Sequence, residues 1–190
     1  MIFCPIKPAK DIPFPYLFSD RNKTSTELFS ELLHKENLSA SVNYRASGQP
    51  FLQCGQKELP LTASHSGRYT IVAYLPSDGF LGADLQLPVD WSNEEKRRLA
   101  FSEREIASAK NDPDKFTFLW TAKEAVLKAL GIGLSKGFRY VEILTDYSTH
   151  CTLNFVNGDV PTFIDPAFFT LPMPEGCVLI FAAGRAIIPI

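Results

Sequence analysis

Glu124 and Lys128 stand four residues apart in Trp120-Thr121-Ala122-Lys123-Glu124-Ala125-Val126-Leu127-Lys128. On a helix that spacing makes the carboxylate and the ammonium surface neighbours. Projected at ~100° per residue, Leu119, Ala122, Val126, Ala129 and Leu130 gather on one side, and the charged pair points nearly opposite. Alone, such a pair is an exposed salt bridge contributing about a few tenths of a kcal/mol; whether it does chemistry depends on what faces it. A second acid lies in Gly82-Ala83-Asp84-Leu85-Gln86. On a strand Asp84 and Gln86 share one face, while Ala83 and Leu85 share the other. The preceding run Phe80-Leu81-Gly82-Ala83 is apolar, so Asp84 either sits at the wet end of a strand or needs a cation or donors to offset its desolvation. Gly82 lets a backbone or a ligand approach closely. A third piece, Ser64-His65-Ser66-Gly67, has the small hydroxyls, imidazole and glycine of a turn that presents N–H groups and partial positive charge to a phosphate. It reads equally as a plain polar turn. As a Ser-His nucleophile pair it is poor, because adjacent residues rarely align base and nucleophile and no GxSxG elbow is present.

The bulk of the chain limits what these residues can serve. Its 190 residues suit one sizeable domain or two small ones packed together. With 45% hydrophobic residues and 15 Phe it can build a real core. Nineteen Lys and Arg against 21 Asp and Glu give a net charge of −2, so no global field draws it to nucleic acid or anionic membranes. An anionic ligand must be held by a few local cations. Cys4, Cys54, Cys151 and Cys177 lie far apart without a CxxC pair, and His34, His65 and His150 add no ligand spacing. Zinc and redox motifs are therefore not expected, and the cysteines read as free thiols in a reducing compartment. The start Met1-Ile2-Phe3-Cys4-Pro5 is broken by proline and does not read as a signal peptide. No apolar run approaches the ~20 residues of a membrane span. A soluble, cytoplasmic protein is expected.

The elements that must position these groups are legible in outline. Prolines at 5, 8, 13 and 15 predict an extended or irregular start over residues 1–20. Thr24-Ser25-Thr26-Glu27 has capping-box spacing before Leu28, Phe29, Leu32 and Leu33, predicting a helix from about 25 to 36. A turn is expected at Ser47-Gly48-Gln49-Pro50, strands at 69–75 and 80–87, and a turn at 77–79 between them. Capping boxes at Ser92 and Ser102 open two further helices. Asp112-Pro113 opens the strongest helix, which runs to about Leu130 and is stopped by Gly131-Ile132-Gly133. Strands are expected at 140–144, 152–155 and 178–182. Helices and strands mix without a βαβ rhythm, so the fold class is α+β.

Considered together, Ser64-His65-Ser66 before a strand, Gly82-Ala83-Asp84 and the Trp120–Lys128 helix closely resemble, in this order, the SHS, GxD and WxxKEAxxK motifs of the 4′-phosphopantetheinyl transferases. Phe101-Ser102-Glu103-Arg104-Glu105 resembles that family's FxxxE segment, and Ser47-Gly48-Gln49-Pro50 sits where it generally has a GKP turn. The clear resemblance runs from about 47 to 144. With some 80 residues ahead of Gly82, the chain resembles the surfactin-synthetase-activating type, in which two similar α+β halves form a pseudo-dimeric fold. The division expected is residues 1–78 for a shortened N-terminal half and 79–190 for the C-terminal half, in a monomer.

The resemblance implies transfer of the 4′-phosphopantetheine group from coenzyme A to a serine of an apo acyl or peptidyl carrier protein, with Mg²⁺ (Mn²⁺ as a substitute). It implies Asp84 and Glu124 as metal ligands, with Gln86 where many relatives place a third carboxylate. Glu124 is then also the expected base for the serine proton, and Lys128 neutralises the pyrophosphate. Ser64 and His65 are expected at the nucleotide end, with Arg21 and Lys23 adding charge there and Lys123 either helping Lys128 or extending its stem along the apolar stripe. Gln49 replaces the lysine of the family's turn, so one nucleotide contact is expected to be altered. Lys96, Arg97 and Arg98 are the densest cationic cluster available to an acidic carrier. Two other readings use the same residues: a non-enzymatic relative that binds coenzyme A or a carrier, and a Mg²⁺-dependent phosphohydrolase.

Overall fold

The first strand of the chain pairs not with its neighbours in sequence but with strands that begin at residues 150 and 167. In the computed structural model, which describes residues 1–133, 135–156 and 162–188, the chain enters as β1 (Ile2–Pro8) and β2 (Tyr16–Ser19), then forms α1 (Ser25–Lys35). Four strands follow, β3 (Ser41–Tyr44), β4 (Pro50–Cys54), β5 (Lys57–Ser66) and β6 (Tyr69–Tyr74), and then β7 (Phe80–Gln86). Helices α2 (Glu94–Ala100), α3 (Glu103–Ala109) and α4 (Pro113–Ala129) lead to β8 (Val141–Thr145), β9 (His150–Phe155), β10 (Thr162–Ile164), β11 (Ala167–Pro172), β12 (Val178–Gly184) and β13 (Ala186–Ile188). The class is α+β.

Two larger sheets carry the fold, ordered β2-β6-β5-β4-β3 and β7-β12-β11-β1-β9-β8, beside a two-stranded β10-β13 ribbon. Within the larger sheet β1 runs antiparallel to β9 and parallel to β11. Residues 1–20, expected to be extended or irregular, thus supply two paired strands. A division at residue 78 would separate β1 from β9 and β11, its neighbours in the six-stranded sheet.

The layers are held by three apolar clusters. Leu28, Phe29 and Leu32 of α1 pack on Leu61, Val72 and Tyr74 of the five-stranded sheet. The opposite face of that sheet, with Tyr69, Ile71 and Ala73, meets Leu81, Ala83 and Leu85 of β7 and Phe181 of β12. The far face of the six-stranded sheet receives α4 through Leu119, Ala122 and Val126. The order is therefore α1, sheet, sheet, α4, and each half contributes one helix on one sheet.

The caps explain where the helices start. Thr24 and Ser102 each complete a capping box, with Glu27 and Glu105. Asp112 accepts from the N–H groups of Asp114 and Lys115 ahead of Pro113. Helix α2 is capped by Asn93, whose side chain accepts from the Lys96 N–H, rather than by Ser92, whose N–H donates to Asp90 Oδ1.

Candidate active site

Gly82 is where β7 and α4 touch. A Cβ at this position would lie 2.0 Å from the Ala125 carbonyl oxygen and 2.4 Å from the Ala129 nitrogen. Only glycine allows the helix backbone to lie this close to the strand. Alternation then puts Asp84, two residues on, under the same helix, whereas Leu81, Ala83 and Leu85 face the other way into the inter-sheet core.

The result is a compact polar cluster. Asp84 is buried, with 5% of its surface exposed. Its Oδ1 accepts from Lys128 Nζ at 2.7 Å and from the Ser64 hydroxyl at 2.8 Å. Ser64 Oγ in turn accepts from Lys128 Nζ at 3.1 Å and from the Leu85 N–H at 3.1 Å. The second carboxylate oxygen, Asp84 Oδ2, is buried without a hydrogen-bond partner. Glu124 is half-buried nearby. Burial raises its pKa, the Asp84 charge raises it further, and Lys128 opposes both. Gln86 lies one step along β7, partly exposed on the Asp84 face. Lys128 is thus not half of an exposed i,i+4 pair: its close partner is Asp84.

The residues Ser64, His65 and Ser66 do not form a turn. They are the last three of β5, and the turn is Gly67-Arg68. The hydroxyls have a structural task there. The N–H groups of Ala83, Leu85 and Leu87 donate to Thr62, Ser64 and Ser66 at 2.9, 3.1 and 3.0 Å. β7 is the edge strand of its sheet, and this ladder satisfies amide groups that the edge would otherwise leave unpaired. His65 points to the α1 side and is exposed, opposite Thr70 in the β5–β6 ladder. The Thr70 hydroxyl donates to the Lys23 carbonyl at 2.6 Å, so His65 and the entry to α1 flank one another. Lys23 itself pairs with Glu31, and the Arg21 side chain is exposed beside Asp20.

Lys123 is elsewhere. Its side chain is fully buried, and its three N–H donors are all used, on Glu105 Oε2 at 2.8 Å, the Ala100 carbonyl at 2.9 Å and the Phe138 carbonyl at 3.2 Å. Glu105 also accepts from the N–H groups of Ser102 and Ile143. Burial pushes Glu105 up and Lys123 down, each opposed by its partner's charge. Of the two roles expected for Lys123, neither describes these bonds, which tie α4 to α3 and to the 138–140 segment.

A cavity of about 310 Å³ opens beside the cluster. Ser25 and Phe29 of α1, Tyr44 and residues 47–50, Leu61–Ala63 of β5, and Lys128 with Gly131 and Gly133 at the end of α4 line it. Gln49 closes one side and donates through Nε2 to the Lys128 carbonyl at 3.1 Å, so the turn is docked on the C-terminal end of α4. Sequence reasoning did not identify Thr62, the Gln49 contact or Glu105 as Lys123's partner. For Glu105 the capping box was the available signal; the others join elements distant in sequence and leave no local pattern. On α2, Lys96 lies over Trp91, Arg98 pairs with Glu94, and the next residue, Leu99, is 72% exposed.

Comparison with known proteins gives the same direction. Residues 80–166 match the model of the 4′-phosphopantetheinyl transferase superfamily. The L-aminoadipate-semialdehyde dehydrogenase-phosphopantetheinyl transferase of Schizosaccharomyces pombe is 34% identical over 126 residues, covering 57% of this chain and 49% of that protein. The Xenopus laevis protein of the same name is 37% identical over 111 residues, covering 50% of this chain and 36% of its own. The chain thus spans less than half the length of these relatives.

Proposed function

From the match of residues 80–166 to the model of the 4′-phosphopantetheinyl transferase superfamily, we propose that the chain moves the 4′-phosphopantetheine group of coenzyme A onto a serine hydroxyl of an acyl or peptidyl carrier protein. The observation that carries this reading is Asp84: one oxygen is held by Ser64 and Lys128, and the other is buried with no partner. A buried, unpaired carboxylate oxygen next to a second half-buried carboxylate is a donor set that suits a hard divalent cation. Asp84 and Glu124 would hold Mg²⁺ or Mn²⁺, and Gln86 on the same strand face would add a neutral oxygen. Such a cation, when bound, neutralises charge on the pyrophosphate of the donor.

The chain's own residues then have distinct tasks. The serine oxygen forms a bond to the β-phosphorus of coenzyme A while the bridging bond toward the α-phosphate breaks. The phosphopantetheine stays on serine, 3′,5′-adenosine diphosphate leaves, and the serine proton passes to Glu124, directly or through water. Lys128, which lines the cavity, takes up charge on the pyrophosphate and on the leaving group. Ser64 positions the acid and the lysine through its three bonds. The cavity wall receives the nucleotide, with His65, Lys23 and Arg21 at its outer end. Two α+β halves meeting at the site support the two-half, surfactin-activating type and a monomer. Lys96, Arg98 and the exposed Leu99 of α2 provide a surface for the acidic carrier. Among the described residues no helix is long and apolar enough to cross a membrane.

The test is intact-mass spectrometry of an apo carrier incubated with the protein, coenzyme A and Mg²⁺. A gain of ~340 Da, lost without metal and in Glu124→Ala, is the expected result. Coenzyme A bound with no gain on any carrier class would favour the non-enzymatic relative. Release of phosphopantetheine without a carrier would favour a phosphohydrolase.

A further inference from the structure

We infer that Lys128 competes with the divalent cation for Asp84, and that the pyrophosphate of the donor ends this competition by drawing the lysine to itself. Cation and donor then bind with positive coupling, and Lys128 is the residue that couples them. This rests on the transferase reading above and specifies how its site is assembled.

Asp84 already has a cation. Among the described residues Lys128 is the only cationic side chain with an ion pair to its carboxylate, at 2.7 Å from Oδ1. Ser64 fixes the pair: its hydroxyl donates to the same oxygen at 2.8 Å and accepts from Lys128 Nζ at 3.1 Å. Asp84 is buried, so charges around it are little screened by salt. A metal ion at the unpartnered Oδ2 would therefore face an ammonium across one carboxylate, and like charges this close oppose one another. Lys128 also cancels the charge of one of the two acids, Asp84 and Glu124, that would hold the dication. The free oxygen attracts a cation, while the paired oxygen limits how tightly it is held.

The lysine can leave Asp84 without a change of fold. Its main chain is anchored, because the Lys128 carbonyl accepts from Gln49 Nε2 at 3.1 Å and from the Gly131 N–H at 3.0 Å. Its side chain is a flexible stem, 31% exposed, on a residue that lines the cavity. Side-chain rotation alone carries the ammonium from Asp84 to an anion in that cavity. A ligand shifts such an equilibrium only through different affinities for the two arrangements. The pyrophosphate supplies the difference, since it pairs with the ammonium only in the second. Linkage makes the effect reciprocal: the donor tightens the cation by the factor by which the cation tightens the donor.

The experiment measures the Kd of Mn²⁺, from the electron paramagnetic resonance of the free ion, with and without saturating coenzyme A. The native protein is compared with Lys128→Met and Lys128→Arg. Lys128→Met is expected to bind Mn²⁺ alone about tenfold more tightly than the native protein, and to gain correspondingly less when coenzyme A is added. Lys128→Arg keeps the charge and should stay within about threefold of the native values. Mn²⁺ alone bound no more tightly by Lys128→Met than by the native protein would overturn the inference. Transfer to an apo carrier by the native protein would in that case leave the transferase reading standing, whereas no transfer to any carrier would defeat that reading itself. A second measurement does not depend on the stability of Lys128→Met. In the native protein with ¹³C-methylated lysines, the Lys128 resonance, identified by its loss in Lys128→Arg, should shift when coenzyme A is added without metal. A resonance that stays in place while coenzyme A binds would also overturn the inference.

Discussion

Lys128 Nζ lies 2.7 Å from Asp84 Oδ1, so the cation of α4 and the acid of β7 meet across 44 residues of sequence. The contact has two consequences that one substitution separates. Lys128→Met removes the cation from the proposed pyrophosphate site, and transfer is expected to fall about 10²–10³-fold, as for loss of one preorganised electrostatic group. It also leaves a buried carboxylate with only Ser64 and should cost about 1–3 kcal/mol of stability. Urea denaturation and steady-state kinetics on the same sample check both. Full activity in a destabilised variant would assign Lys128 to the fold alone.

The unpartnered Asp84 Oδ2 predicts a metal effect on the folded state that does not depend on turnover. Mg²⁺ with coenzyme A should raise the midpoint of thermal unfolding of the native protein, and a chelator should reverse the rise. Asp84→Asn keeps the shape but loses a negative charge, and the Mg²⁺-dependent part of the shift should vanish. An undiminished shift in this variant would place the cation elsewhere.

Gly82 is read as the reason that α4 can lie on β7. Gly82→Ala forces a methyl against the Ala125 carbonyl and the Ala129 nitrogen. Both are backbone atoms that cannot rotate away, so the helix must shift. We expect a loss of about 1–3 kcal/mol together with a drop in kcat larger than the change in carrier KM, because Glu124 and Lys128 move with the helix. Calorimetric unfolding and kinetics of the variant are the measurement.

The parts of this arrangement that were legible in sequence are those with local causes. Thr24 with Glu27, Ser102 with Glu105 and Asp112 before Pro113 mark helix starts that the structure keeps. The β-branched and aromatic runs gave β6, β7 and β12. By contrast, the prolines of residues 1–20 hid β1, whose pairing partners lie some 150 residues away. The end of β5 resembled a turn because its hydroxyls and glycine are turn-formers; in the fold those hydroxyls satisfy the edge of β7, a side-chain to backbone contact that no periodicity encodes. Asp84, Glu124 and Lys128 could be named from motifs, but their approach depends on Gly82 and on sheet stacking. Lys123 shows the opposite limit. It is adjacent to Glu124 in sequence, yet a rotation of ~100° on the helix sends it into the core.

That burial gives a sharp prediction for Lys123. If its task is to hold α3 against α4 through Glu105, Lys123→Met leaves Glu105 buried without its cation and should cost about 3–5 kcal/mol. Glu105→Gln should be nearly as costly, since the lysine then loses its charge partner. The double variant Lys123→Met/Glu105→Leu removes both charges and leaves apolar volume in their place. It should recover most of the stability, because a buried ion pair is often matched by packed apolar groups of similar size. Its KM for coenzyme A should be close to that of the native protein. Recovered stability with a KM raised about tenfold or more would instead show Lys123 acting on the donor, and denaturant unfolding read beside donor kinetics on the three variants distinguishes the two.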